Sequence, residues 1–258
     1  MASLSNVDDH EESNTKQGRS KGDAQPSQLV SFNAFHHLMA PKPKKRSPHV
    51  SWRDGLGLYI NTPESPAATS QILFLNPEFV GIWDLYPKAS VHTLLLPRAP
   101  HLSAQHPIKA LESPNFLMCV RQQVAQLTDL VVAELQRRYE LANPDRSASQ
   151  QQARDWRSEV MAGVHSRPSM NHLHIHVLSV DRHSKCLKHR KHYNSFSTDF
   201  FIPISDFPLG SDDPRRHPER EGYLNSDLKC WRCGKMFGKK FTELKRHLAE
   251  EYENWMRQ

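Results

Sequence analysis

Residues 172–177 read His172-Leu173-His174-Ile175-His176-Val177, one apolar residue following each histidine. Successive side chains on a β-strand leave opposite faces. The spacing therefore predicts three imidazoles on one face and Leu173, Ile175 and Val177 on the other. Such a strand must be covered by a core on its apolar side, while its titratable side has to meet something polar or anionic. We expect it to run from His172 to Val180 within a sheet.

The surrounding pattern predicts an α+β domain with a mostly antiparallel sheet over residues 50–205. Ser51 is a candidate N-cap for a helix carrying Trp52, Leu56, Leu58 and Tyr59. Strands are expected at Gln71–Leu75, Phe79–Asp84, Val91–Leu96 and Val160–His165, separated by turns such as Asn76-Pro77 and Tyr86-Pro87. Phe116, Val120, Val124, Leu127, Val131, Leu135 and Tyr139 recur every three or four residues, the period of a long amphipathic helix. Residues 143–155 read as a polar loop.

Only 37% of the 258 residues are hydrophobic, so part of the length is expected outside a core. Residues 1–30 carry almost no large apolar side chains and read as a disordered tail. Residues 31–49 combine a short amphipathic stretch with four basic residues between Pro41 and Pro48, the composition of a nuclear-import signal or of a solvated linker. The four cysteines do not form a disulfide framework. No signal-peptide pattern or membrane-spanning apolar run occurs, which points to a reducing intracellular setting.

Two chemistries suit the histidine strand. Histidine is the commonest metal ligand, but alternate strand positions lie about 7 Å apart, and the run contains no acidic residue to complete a site. In phosphate chemistry, by contrast, a neutral imidazole attacks phosphorus while flanking rings neutralise charge and protonate the leaving oxygen. The central ring, His174, can be flanked on both sides.

The run His172–Leu178 resembles the HφHφHφφ signature of the histidine-triad superfamily. Three further stretches resemble its aprataxin branch: Leu85–Pro97, Gly163–His172 and Cys186–Phe196. The resemblance implies an enzyme that removes AMP from the 5′ ends left by abortive DNA ligation, through a covalent adenylyl-histidine, in single-strand break repair. It implies His174 as nucleophile, with His176, His172 and His165 completing the catalytic set. It also places Lys88, His92, Ser169 and Lys191 around the nucleotide and phosphate, and Trp52 as an aromatic wedge against a DNA end. A general nucleotide or phosphoramidate hydrolase, or a DNA-binding protein without enzymatic activity, are the alternatives.

Cys230-Trp231-Arg232-Cys233 is followed after thirteen residues by His247 and after three more by Glu251. The first three ligand positions have the spacing of a ββα zinc finger, and residues 247 and 251 share a helix face. A carboxylate is a competent zinc ligand, so Cys230, Cys233, His247 and Glu251 are the expected structural zinc site, with Glu250 as the neighbouring substitute. The finger is expected over residues 227–258, after a linker at 206–226. Two basic runs, 182–192 and 229–246, surround these motifs, and the net charge is +6. Lys and Arg at this density favour a phosphate backbone, so the expected partner is nicked or 5′-adenylated DNA, bound by a monomeric chain in the nucleus.

Overall fold

The computed structural model describes residues 51–145 and 154–258. The tail, amphipathic stretch and basic segment expected before residue 50 lie outside the described residues, as does most of the polar loop. Ser51 does cap a helical turn, its hydroxyl accepting from the Arg53 N–H at 3.3 Å, but that turn is a 3-10 segment, Trp52–Asp54. Helix α1 (Gly57–Asn61) starts separately. Gly55 and Gly57 flank Leu56, and the low helix propensity of glycine divides what the periodicity suggested was one helix.

After α2 (Pro66–Thr69) come strands β1 (Ile72–Leu75), β2 (Phe79–Trp83) and β3 (His92–Pro97). Short helices α3 (Pro100–Ser103) and α4 (Pro107–Ala110) lead into α5 (Pro114–Ala142). Strands β4 (Val160–His165) and β5 (Ile175–Ser179) then precede α6 (Arg190–Ser197) and β6 (Phe201–Pro203). The six strands form one sheet in the order β1-β2-β3-β5-β4-β6, and all five pairings are antiparallel. His176 is central: it lies opposite Leu94 on β3 and Gly163 on β4.

Strand β5 begins later than the alternation suggests. Leu173 gives its N–H to the Ser103 carbonyl at 2.7 Å rather than to a sheet neighbour, so His172 and His174 stand on the approach to the strand. The apolar alternation nevertheless holds, because Leu173, Ile175 and Val177 are fully buried in the main core with Leu95, Val164 and Ile202. That core is closed by α5, which buries Phe116, Val120, Val124, Leu127, Val131, Leu135 and Tyr139. Each such side chain contributes about 1.5–3 kcal/mol of burial. On the other face, Leu94 and Leu96 pack with Leu56, Tyr59 and Ile60 of the α1 region.

The C-terminal segment adds α7 (Pro218–Glu221), β7 (Leu228–Lys229), β8 (Met236–Gly238) and α8 (Phe241–Met256). Its small core, Leu228, Cys230, Phe237, Leu244 and Leu248, is completed by Leu187 and by Tyr193 of α6. The Tyr193 hydroxyl donates to the Lys229 carbonyl at 2.7 Å and accepts from the Trp231 N–H at 2.9 Å. At the far end of α8, Trp255 and Met256 enter the main core. Asn143, just past α5, bonds the carbonyls of Tyr139 (2.9 Å) and Met256 (2.8 Å).

Gly163 faces His176 across the ladder, and a Cβ there would meet the Ile202 carbonyl oxygen at 2.4 Å and the Phe201 ring at 2.6 Å. Gly163→Ala is therefore expected to cost about 1–3 kcal/mol through overpacking, read as a lowered urea midpoint. A midpoint equal to wild type would show that Phe201 and β6 can give way freely.

Candidate active site and metal centre

Four imidazoles meet on one face of the sheet. The centroid of the His176 ring lies 4.5 Å from that of His165, 4.9 Å from His174 and 5.1 Å from His92. Phe196, on α6, sets its ring edge-to-face against three of them, at 4.6 Å from His165, 5.1 Å from His176 and 5.5 Å from His92. His172 stands beside the group, its ring close to α1: a Cβ on Gly57 would lie 3.1 Å from the imidazole. Glycine at 57 lets the helix approach that closely.

Burial dominates the electrostatics. It pulls His92 down to about 4 and holds His165 and His176 well below the usual imidazole range, with neighbouring histidines adding to the shift. His174 is also lowered by burial, opposed by its bond to the His172 backbone. These rings are neutral near pH 7, and each neutral imidazole has one donor and one acceptor nitrogen.

The hydrogen bonds assign the tautomers. A carbonyl can only accept, so the 2.8 Å contact between His174 Nδ1 and the His172 oxygen places the proton on Nδ1 and leaves Nε2 of His174 as a lone pair. The backbone N–H of Lys88 donates to His92 Nδ1 at 3.0 Å. His92 must then carry its proton on Nε2, which lies 3.0 Å from His176 Nδ1. His176 in turn presents an Nε2–H. That nitrogen is buried without a protein partner, as are His165 Nε2 and His172 Nδ1. Unpaired buried polar atoms of this kind call for an external partner, and an anion seated among them would supply it.

Asp84 was not singled out from the sequence. Its Oδ1 accepts the Tyr86 N–H at 2.7 Å, and its Oδ2 lies 3.4 Å from His92 Nδ1. An aspartate ahead of the Tyr86-Pro87 turn was the available signal. Asp84, His92 and His176 form one of two groups with metal-ligand spacing among the described residues. Both ring nitrogens of His92 are already engaged, by Lys88 and by His176, so this group does not suit a metal.

Lys88 is half-buried, its ammonium on the Tyr86 carbonyl. Burial lowers its pKa and Asp84 opposes the shift. Ser169 is exposed on the segment before β5, and Lys191 is exposed on the first turn of α6. Trp52 is 65% exposed, on the turn whose Arg53 carbonyl accepts the Asn171 N–H at 2.9 Å. This indole thus stands free in solvent one hydrogen bond from the residue preceding His172. Exposure is what a stacking role requires and what a core tryptophan would lack.

The basic runs divide. Lys185, Lys188, Lys191, Lys229, Lys235, Lys239, Lys240, Lys245 and Arg246 are exposed. Three arginines counted with them serve the fold instead, among them Arg190, which bonds the Asn225 carbonyl at 2.9 Å. Arg182 bonds the carbonyls of Val180 (2.5 Å) and Phe196 (3.0 Å) and lies over Trp231. Arg232 pairs with Glu251 at 2.5 Å. In each case a carbonyl or carboxylate fourteen or more residues away claims the guanidinium.

Cys230, Cys233, His247 and Glu251 converge, with one donor atom from each lying within 4.8 Å of the others. Cys233 Sγ is 3.1 Å from His247 Nε2, which is 3.3 Å from Glu251 Oε1. A tetrahedral zinc with ordinary bond lengths separates neighbouring donors by about 3.3–3.8 Å; the 3.1 Å and 3.3 Å contacts lie slightly below and at the lower end of that range, and the donor set suits zinc. Glu250 is exposed.

Because the unfolded histidines titrate near 6.5 and folded His92 near 4, the unfolded chain binds more protons between those values. Stability is therefore expected to fall as pH drops through this window, steepened by His165, His174 and His176, which shift the same way. Thermal unfolding between pH 7.5 and 5 checks this; a constant midpoint would mean that the rings protonate freely in the folded protein.

Comparison with known proteins gives this geometry a family. Residues 60–192 match the family described as scavenger mRNA decapping enzyme C-term binding, and residues 197–254 match the C2HE / C2H2 / C2HC zinc-binding finger. The chain is 36% identical over 212 residues to an aprataxin-like protein of Schizosaccharomyces pombe, covering 80% of this chain and 84% of the relative. It is 35% identical over 214 residues to the aprataxin-like protein of Saccharomyces cerevisiae, covering 80% of this chain and 98% of that one. The crystal structure of the aprataxin ortholog Hnt3 in complex with DNA superposes with a TM-score of 0.59 at 33% identity, over 80% of this chain and 98% of that chain. Carrying on one such fold a neutral histidine cluster and a centre of two cysteines, a histidine and a glutamate, the chain belongs to the aprataxin-like family.

Proposed function

We propose that this protein is a DNA-repair hydrolase that releases AMP from adenylated 5′ ends through a covalent adenylyl-histidine. The observation that carries the reading is the pair of complementary nitrogens in the cluster. His174 offers a bare Nε2 because its Nδ1–H is held by the His172 carbonyl, and His176 offers an unpartnered Nε2–H beside it. In the first step His174 Nε2 attacks the adenylate phosphorus. The phosphoanhydride bond to the DNA 5′-phosphate breaks, the phosphate leaves as the anion, and the His176 Nε2–H stabilises the charge on the departing oxygen by a hydrogen bond. Water then attacks the same phosphorus, the His174 Nε2–phosphorus bond breaks, and AMP leaves while the proton from water passes to solvent, which restores neutral His174. His172, with an unpaired Nδ1, is assigned to the phosphate oxygens, His165 lines the pocket beside His176, and Lys88 adds positive charge at the same side.

The DNA part of the reading is supported by the exposed lysines of 185–191 and 229–245 and by the bare Trp52 indole, which we assign to stacking on the exposed base pair of a nick. Ser169 and Lys191 are assigned to the nucleotide and backbone phosphates. The whole histidine cluster comes from one chain, so a monomer suffices. A DNA substrate places its work in the nucleus. Zinc, held by Cys230, Cys233, His247 and Glu251, is assigned a structural role: it ties the β7–β8 knuckle to α8.

Incubating the protein with adenylated nicked DNA and mapping the modified residue tests the chemistry. His174→Ala is expected to lose AMP release by at least a thousandfold while its circular dichroism is kept; near-normal turnover would remove the nucleophile assignment. Trp52→Ala is expected to raise KM for the nicked substrate several-fold and leave hydrolysis of AMP-lysine unchanged. Equal effects on both substrates would assign Trp52 to the fold and favour the general nucleotide hydrolase. Chelation of zinc, or Cys230→Ser, is expected to impair both substrates, because Cys230 shares a core with Tyr193 of α6, one turn before Phe196. Full retention of AMP-lysine hydrolysis would show that the finger serves DNA alone.

A further inference from the structure

Glu251 stands where a ββα finger commonly offers a second histidine, and the substitution changes the charge of the centre. Two thiolates and a carboxylate leave one negative charge in excess on a zinc ion, where two thiolates and two neutral imidazoles leave none. A carboxylate also has two oxygens and can turn between one-oxygen and two-oxygen ligation. Both difficulties meet a single side chain. Arg232, inside the Cys230–Cys233 knuckle, places Nη1 2.5 Å from Glu251 Oε2. The other oxygen, Oε1, is the one 3.3 Å from His247 Nε2. The pair is largely sheltered, with 22% of the arginine and 12% of the glutamate side chain exposed, which limits screening by solvent.

We propose that Arg232 is a positioning residue of the zinc centre: it holds Glu251 as a one-oxygen ligand and balances the charge that glutamate brings. The inference rests on the reading of these four residues as a zinc site. It assigns the arginine to the glutamate rather than to DNA, and it makes the two a unit in which each residue requires the other. An outer partner of a ligating carboxylate commonly changes metal affinity by about 10- to 100-fold.

The test uses the full-length protein and zinc itself, in competition with a chromophoric chelator, with the visible spectrum of the cobalt-substituted protein as a second readout. Arg232→Gln is expected to weaken zinc binding at least tenfold and to alter the cobalt spectrum. Arg232→Lys, which keeps the charge but not the planar fork, is expected to fall between Gln and wild type. In a Glu251→His background, Arg232→Gln is expected to change zinc affinity less than twofold, since no carboxylate remains to be held. The proposal is overturned if Arg232→Gln binds zinc like wild type, or if it loses as much in the histidine background as in the glutamate one. Should Glu251→His itself release the metal, the Gln and Lys variants decide alone, a Gln variant equal to wild type again overturning it. A wild-type protein that retains no zinc would remove the site reading together with this inference, a result distinct from a zinc-loaded wild type with an indifferent Arg232.

Discussion

The structure depends on keeping several imidazoles uncharged in a largely buried site. A protonated ring in that cluster would face other rings across about 5 Å of apolar surroundings, and burial opposes this by lowering every one of the four central histidines. The cost is accepted because neutrality gives each ring one bare nitrogen and one N–H. The backbone then decides which is which: the His172 carbonyl orients His174, and the Lys88 amide orients His92 and, through it, His176. Rigid backbone atoms thus set the chemistry of mobile protons.

Helix α6 links this cluster to the rest of the molecule. On one side Phe196 forms an aromatic wall against three of the rings, and on the other Tyr193 bonds the β7 strand and the knuckle. Arg182, its backbone at a φ of 45°, bonds the Phe196 carbonyl and lies over Trp231, close to the same junction. The metal centre and the histidine cluster consequently share packing, and Trp255 of α8 extends that sharing into the main core. What looks like an appended finger in the linear order is built into the wall of the catalytic domain.

Much of this was legible in the chain because it rests on local periodicity. The alternation of His172 to Val177 sorted core from cluster, the three-to-four spacing from Phe116 to Tyr139 marked α5, and the CxxC-to-histidine interval marked residues that converge. The departures have one local cause and one tertiary cause. Glycines at 55 and 57 divided the first helix, and the bond from Leu173 to Ser103 delayed the central strand to Ile175. The basic runs misled in part, since charge density does not say which arginine has an internal acceptor.

The sequence by itself determined which side chains were candidates for the chemistry, because residue type and spacing follow from strand and helix repeats of two and 3.6 residues. Only the tertiary structure decided their states. Which nitrogen of His174 is bare, that Asp84 stands beside His92, that Phe196 walls the cluster and that Arg232 belongs to Glu251 are all set by contacts of individual atoms. Such contacts join residues from two to twenty positions apart, and they obey no repeat that a linear chain could display.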